Sequence, residues 1–174
     1  MKITAELVKE LREMTYASIM ECKKALHDAE GDIKKAAGLL RKRGLEIAKG
    51  KQSRKVKDGR IEAYVHHGNK IGVLLEVDCE TDFVARNSEF AQFTKDIAMQ
   101  IAAHNPKYLN REEVPQDAVE GEKDKELFFK DNCLMEQPFI KDPGLIIKDY
   151  LGNLVAKIGE NIVIRRFVRY KIGE

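Results

Sequence analysis

Cysteine is scarce in this chain and unpatterned: Cys22, Cys79 and Cys133 are odd in number, far apart and without a C-x-x-C spacing. That excludes a disulfide framework and fits reduced, mostly structural thiols. No apolar stretch approaches the roughly 20 residues that span a bilayer. The N-terminus has neither the apolar region of a signal peptide nor an Arg-rich, acid-poor transit pattern, so a cytoplasmic protein is expected. A nucleophile elbow, a P-loop and an H-E-x-x-H zinc pattern are all missing. His66 and His67 are adjacent in a strand-like run and point to opposite faces, which makes a shared metal ion difficult. Asp78, Glu80 and Asp82 could form an acidic metal cluster, since alternate residues share a face, but they match the wet side of a half-exposed strand, and that reading is favoured. The expectation is therefore a protein without catalytic residues, metal ligands or cofactor, and not an enzyme.

What is present describes a soluble globular chain: 174 residues, 43 % hydrophobic and 34 % charged. That length holds one ordinary core or a small core with a helical appendage. The net charge of +2 conceals an asymmetry, because residues 1–58 carry 15 basic and 9 acidic side chains while the remainder carries 16 and 20. The front of the chain is thus suited to an acidic partner.

The fold class expected is α+β: a three-helix module at 1–49, a basic linker at 50–58, and a core at 59–174 in which a three-stranded antiparallel sheet packs with helices. Thr4 caps a first helix carrying Leu7, Val8, Leu11 and Met14. Ser18 with Glu21 forms a capping box for a second, with Ile19, Cys22, Leu26 and Ala29 inward. Gly31 stops it, and Asp32 caps a third carrying Ile33, Ala36, Ala37, Leu40 and Leu45. From Arg41 to Lys57 eight basic residues face one acid, Glu46. This run is either a solvated helix end entering a charged linker or an RNA-binding tail, although no aromatic residues interleave to stack on bases. Ile61, Ala63 and Val65 alternate with Glu62, Tyr64 and His66 up to a two-residue turn at Gly68-Asn69. The return strand puts Ile71, Val73, Leu75, Val77 and Cys79 on one face. Phe90, Phe93, Ile97 and Ile101 then form one stripe of a helix. Residues 106–141 are weakly patterned, with one short helix near 118–130. Asp142-Pro143 supplies an N-cap and first-turn proline for a helix burying Ile147, Tyr150, Leu151, Leu154 and Ile158 up to Gly159, before a last strand from Ile162 to Tyr170.

The most informative run is Glu76-Val77-Asp78-Cys79-Glu80-Thr81-Asp82-Phe83-Val84-Ala85-Arg86-Asn87. Strand periodicity ends within it and helical periodicity takes over after Ser88, so Asp82 and Phe83 fall at a strand-to-helix corner, where rigid scaffolds often carry function. Two readings stand at this point. Either Thr81 or Ser88 caps a helix and Phe83 packs inward, or the carboxylate and the ring form a contact surface.

This run, with Met14-Thr15-Tyr16-Ala17-Ser18-Ile19-Met20-Glu21-Cys22-Lys23-Lys24-Ala25-Leu26 and Ala156-Lys157-Ile158-Gly159-Glu160-Asn161-Ile162, resembles the bacterial elongation factor Ts family in a short form. The likeness spans about residues 2–105 and 136–172. It implies a guanine-nucleotide exchange factor that binds the GTPase elongation factor Tu, both GDP-bound and nucleotide-free. In that family Thr81, Asp82, Phe83 and Val84 would press against the GTPase near its nucleotide-associated magnesium. The N-terminal module, similar to ubiquitin-associated domains, would grip another part of the GTPase through Arg12, Ile19 and Met20. The resemblance departs at Tyr16 and Ser18, where family members show glycines; Tyr at positive φ costs roughly 1–2 kcal/mol. A homodimer is also expected, with the sheet face bearing Leu74 and Tyr64 paired between copies, and neither a membrane nor a nucleic acid as partner. An RNA-binding protein using 41–57 and a GTPase adaptor that does not exchange nucleotide are the competing readings.

Overall fold

The computed structural model describes residues 3–174; Met1 and Lys2, with which the expected module opens, lie outside the described residues. The chain forms helices α1 (Ala5–Thr15), α2 (Ile19–Asp28) and α3 (Ile33–Lys51), strands β1 (Asp58–Val65) and β2 (Ile71–Cys79), helices α4 (Asp82–Ala85), α5 (Ser88–His104), α6 (Gln116–Glu120) and α7 (Lys125–Asn132), strands β3 (Pro138–Phe139) and β4 (Asp142–Ile146), helix α8 (Ile147–Ile158) and strand β5 (Ile162–Lys171). They divide into two compact units, one of residues 1–55 with 149–161, the other of 56–148 with 162–174.

The first unit starts as its caps require. The hydroxyls of Thr4 and Ser18 and the carboxylate of Asp32 accept from the backbone N–H groups of Leu7, Glu21 and Lys35, satisfying donors that each helix start leaves unpaired. Val8, Leu11, Cys22, Ala25, Leu26, Ala36 and Leu40 bury together as the core of the three helices. Ile19, assigned inward by its spacing, is instead 51 % exposed. It is the first residue of α2, and the inward positions of that helix are taken by Cys22, Ala25 and Leu26.

Helix α8 from Asp149 onward belongs to this unit rather than to the sheet. A Cβ on Gly44 of α3 would lie 2.9 Å from Asn153 Oδ1 and 3.4 Å from the Gly152 carbonyl carbon, so a larger residue would have to displace the Asn153 side chain. Polar contacts hold it: Asn153 Nδ2 donates to the Thr15 carbonyl at 2.7 Å, and Arg41 Nε sits 2.7 Å from Asp149 Oδ2, a carboxylate with its side chain 2 % exposed. The expected linker 50–58 is consequently part helix and part pinned backbone. α3 runs to Lys51, whose Nζ donates to the Gly159 carbonyl at 2.6 Å. Asn161 Nδ2 donates to the Arg54 carbonyl at 2.9 Å, and β1 already begins at Asp58.

In the second unit β2 is the central strand of an antiparallel sheet of order β1-β2-β5. Val73, Leu75, Val77 and Cys79 are buried on one face, and Phe90, Phe93, Ile97 and Ile101 of α5 are fully buried as well. Burying each such side chain contributes about 1.5–3 kcal/mol. The hairpin loop is longer than the expected Gly-Asn pair: His66 N–H donates to the Ile71 carbonyl and Asn69 N–H to that of His66, with Gly68 and Asn69 both at positive φ. The pairing of β1 is also instructive, because Glu62 lies opposite Leu75 and Tyr64 opposite Val73. Glu62 is therefore on the buried face, where its carboxylate accepts from Thr94 Oγ1 at 3.2 Å and from Arg60 Nε at 3.0 Å. Ile61 and Val65 turn to solvent.

Asp142-Pro143 does not start a helix. It opens β4, paired with β3, and Asp142 Oδ1 accepts from the Gly144 N–H at 3.1 Å in a local turn. The same short carboxylate serves a cap or an Asx turn, and here Phe139 and Leu145 on the two strands are buried. α8 starts five residues later than Asp142, at Ile147. Within 106–141 the organising group is Arg111. Its guanidinium forks onto Glu126 with both contacts at 2.9 Å, reaches Glu136 Oε2 at 2.8 Å and lies 4.8 Å from the Phe129 ring centroid.

Hydrogen bonding from Arg111 holds the Glu136 carboxyl below the usual carboxylate range, against the opposing effect of burial. A carboxyl whose folded pKa is depressed adds stability above its unfolded pKa, and that contribution disappears as pH falls through the folded value. Thermal midpoints of the parent are expected to drop as pH is lowered from about 5, and Glu136→Gln, already short of this ion pair, to be less stable at neutral pH and flatter over the acid range. Parallel curves for the two proteins would show that the Arg111 pairing does not organise the segment.

Candidate functional site

The corner after β2 follows from three local facts. Thr81 is extended and its hydroxyl accepts from Val84 N–H at 3.4 Å, which starts the single turn of α4. Val84 and Ala85 face inward at 4 % and 8 % exposure. In a helix one turn long, burying the third and fourth residues leaves the first two outside. Phe83 is accordingly 82 % exposed, the most exposed of the large apolar side chains described. Asn87, not Ser88, then caps α5, accepting from Glu89 N–H at 2.7 Å.

Of the two readings of this corner, Thr81 does cap a helix but the ring does not pack inward. An exposed Phe forgoes roughly 1.5–3 kcal/mol of burial, and its carrier is held at both ends by caps and from beneath by Val84 and Ala85. Asp82 stands beside it, with its carboxylate forked by Arg86: Nε donates to Oδ1 at 3.1 Å and Nη2 lies 2.9 Å from Oδ2. Sequence patterning passed over Arg86; the spacing of four from an acid on a helical turn is the signal that points to it.

The second set of candidate residues, Arg12, Ile19 and Met20, lies in the first unit around the α1–α2 corner. All three are exposed, Met20 at 73 %. Met14, placed by its spacing in the stripe of α1 with Leu11, is instead 44 % exposed, and with Tyr16 at 41 % it extends this apolar surface. Tyr16 does adopt the left-handed conformation, with φ 57° and ψ 11° as the C-cap of α1, and its N–H donates to the Arg12 carbonyl at 2.8 Å. Its ring meets that of Tyr150 at a centroid separation of 5.5 Å. An aromatic pair contributes about 0.5–1.5 kcal/mol beyond burial, which offsets much of the roughly 1–2 kcal/mol of backbone strain. Ser18 keeps its place as a cap, as expected. The thiol of this module is buried: Cys22 is fully enclosed, and burial raises its pKa above the ordinary thiol value.

Neither set presents a bond-making constellation; each is an apolar projection on a fixed backbone, the geometry of a contact surface. The model of the family described as Elongation factor TS matches residues 2–128. The chain is 51 % identical over 196 aligned positions to an elongation factor Ts of Thermodesulfovibrio yellowstonii, with 100 % of this chain and 98 % of that protein covered. It is 49 % identical over 195 positions to one of Carboxydothermus hydrogenoformans, covering 99 % and 90 %, and 48 % identical over 197 positions to one of Fervidobacterium nodosum, covering 100 % of both. The chain belongs to the elongation factor Ts family, a family of translation elongation factors. Among the described residues no helix is long and apolar enough to cross a membrane.

Proposed function

We propose that this chain is the guanine-nucleotide exchange factor of the GTPase elongation factor Tu in the cytoplasm. It binds the GDP-bound and nucleotide-free forms, loosens GDP by disturbing the magnesium and phosphate site, and performs no covalent chemistry of its own. The observation that carries this reading is Phe83, 82 % exposed on a rigid corner next to a carboxylate. An aromatic wedge and an acidic oxygen are suited to displacing groups around a hard cation that demands near-ideal octahedral oxygen coordination.

Linkage sets the scale. If the factor weakens GDP binding by some ratio, GDP weakens the factor's binding by the same ratio, and a thousandfold effect corresponds to about 4 kcal/mol. Burying one Phe supplies roughly 1.5–3 kcal/mol. The surface of Arg12, Met14, Tyr16, Ile19 and Met20 is therefore needed to stabilise the nucleotide-free complex. The basic run 41–57 is less suited to RNA than its composition suggests, because Arg41 and Arg43 are paired with Asp149 and Asp28 and Lys51 with a backbone carbonyl.

The exchange-active form in this reading is a homodimer. The sheet face away from α5 carries Ile61, Val65, Leu74, Val168 and Tyr170, all exposed. Tyr64 is not part of it, since it lies on the α5 side opposite Val73. Glu76 and Asp78 on the exposed face are each matched by an arginine, Arg166 at 2.6 Å and Arg165 at 2.7 Å. A face that is apolar at one end and charge-balanced at the other can meet a second copy of itself without repulsion.

Release of labelled GDP from elongation factor Tu tests the exchange reading. The parent is expected to accelerate it, and Asp82→Ala/Phe83→Ala to lose most of that acceleration while unfolding at the parent's midpoint, since an exposed corner contributes little core burial. A folded double variant that exchanges like the parent would remove the corner from the mechanism. For the dimer, Leu74→Glu/Ile61→Glu is expected to sediment as a monomer where the parent sediments as a dimer at micromolar concentration; a parent that is monomeric throughout contradicts the pairing.

A further inference from the structure

The charged group in direct contact with Asp82 has no task in the exchange reading. Arg86 follows the buried Ala85 and reaches back four residues along α4 to hold both oxygens of Asp82, Nε to Oδ1 at 3.1 Å and Nη2 to Oδ2 at 2.9 Å. Both side chains are more than half exposed, at 79 % and 57 %. An ion pair that wet contributes little to stability. Its effect is directional, because a planar guanidinium forked onto a planar carboxylate fixes the orientation of both, which a single ammonium does not. The order acid then base along the turn also agrees with the helix dipole. The fork spans the turn that carries Phe83, so the carboxylate beside the ring has one direction instead of several rotamers.

We propose that Arg86 is a positioning residue for nucleotide exchange, acting through Asp82: it aims the carboxylate and neutralises it where the corner meets the phosphate-bearing site of the GTPase. This rests on the exchange reading above. A carboxylate offers about four lone-pair sites, of which the fork takes two, so the clamp orients Asp82 without consuming it. Neutralisation matters because nucleotide phosphates repel a bare carboxylate, and that repulsion grows as docking removes water and lowers the local dielectric. Removing Arg86 leaves a mobile carboxylate of full charge next to Phe83. Removing both groups leaves neither the repulsion nor the lost alignment.

The test is a double-mutant cycle on the GDP-release rate from elongation factor Tu at saturating factor, with Asp82→Asn, Arg86→Met and the two combined, and Arg86→Lys as the conservative variant. Arg86→Met is expected to slow release on the order of fivefold, and the double variant to be no slower than the slower single, the coupling expected of residues that act as one unit. Arg86→Lys falls between parent and Arg86→Met, since it keeps the charge and loses the fork. Thermal midpoints stay together across the set. Singles whose effects multiply in the double variant would mean that Arg86 meets the partner on its own, and would overturn the proposal. Equal release rates for Arg86→Met and the parent would overturn it too, with a lowered midpoint assigning the pair a structural role. A parent that fails to accelerate release overturns the exchange reading and this proposal with it, whereas an active parent with multiplicative singles overturns this proposal alone.

Discussion

The central strand β2 is the constraint on which the sheet unit depends. It is hydrogen-bonded on both sides, to β1 and β5, and buries Val73, Leu75, Val77 and Cys79 on one face. A slip of one residue would turn all four to solvent, so its register is strongly specified. The corner begins two residues beyond its end. The direction of Phe83 is thus set by the strand, through Thr81 as a cap and Val84 and Ala85 as anchors, rather than by any contact of the ring itself. A residue that gains nothing from its own surroundings yet sits on a backbone held from three sides is well placed for a partner.

The helical unit has a different logic. Two short helices and the longer α3 bury a small core of Val8, Leu11, Cys22, Ala25, Leu26, Ala36 and Leu40, and so few residues supply limited stability. Helix α8 joins them from far along the chain, through the Gly44 approach, the Asn153 bond to the Thr15 carbonyl and the Arg41–Asp149 pair. Breaking such a pair when one partner is buried is costly, because the carboxylate is left short of compensation. Tyr16 belongs to the same arrangement: the strained cap of α1 is backed by Tyr150 of α8. The exposed surface of Met14, Tyr16, Ile19 and Met20 is therefore carried by four helices.

Local chemistry was readable from sequence and distant chemistry was not. Thr4, Ser18 and Asp32 cap the helices they were expected to cap, β2 alternates as its residues alternate, and the α5 stripe is buried throughout, because each depends on neighbours within a few positions. The misreadings have a common source. Asp142 has the same short carboxylate whether it caps a helix or closes a turn, and the pairing of β3 with β4 decides between them. Glu62 reads as a solvent residue until Thr94, 32 positions away, is brought beside it. The membership of α8 rests on contacts spanning more than 100 residues. At the candidate site, Thr81 to Val84 and Arg12, Ile19 and Met20 are named by the family resemblance, and the exposure of Phe83 and Ile19 is visible in the fold alone. Arg86 was visible only as a spacing whose meaning needed the observed fork.

The central claim is that the side chain at position 83 enters the GTPase beside its nucleotide. A photoreactive benzoylphenylalanine at position 83 tests this directly, with the same probe at position 170 as a control on the sheet face. Irradiation with elongation factor Tu should join position 83 to the GTPase at residues bordering its magnesium site, and excess GDP with magnesium should suppress the crosslink, as linkage requires. A crosslink at position 83 that is absent, or that forms elsewhere on the GTPase and ignores GDP, would contradict the account.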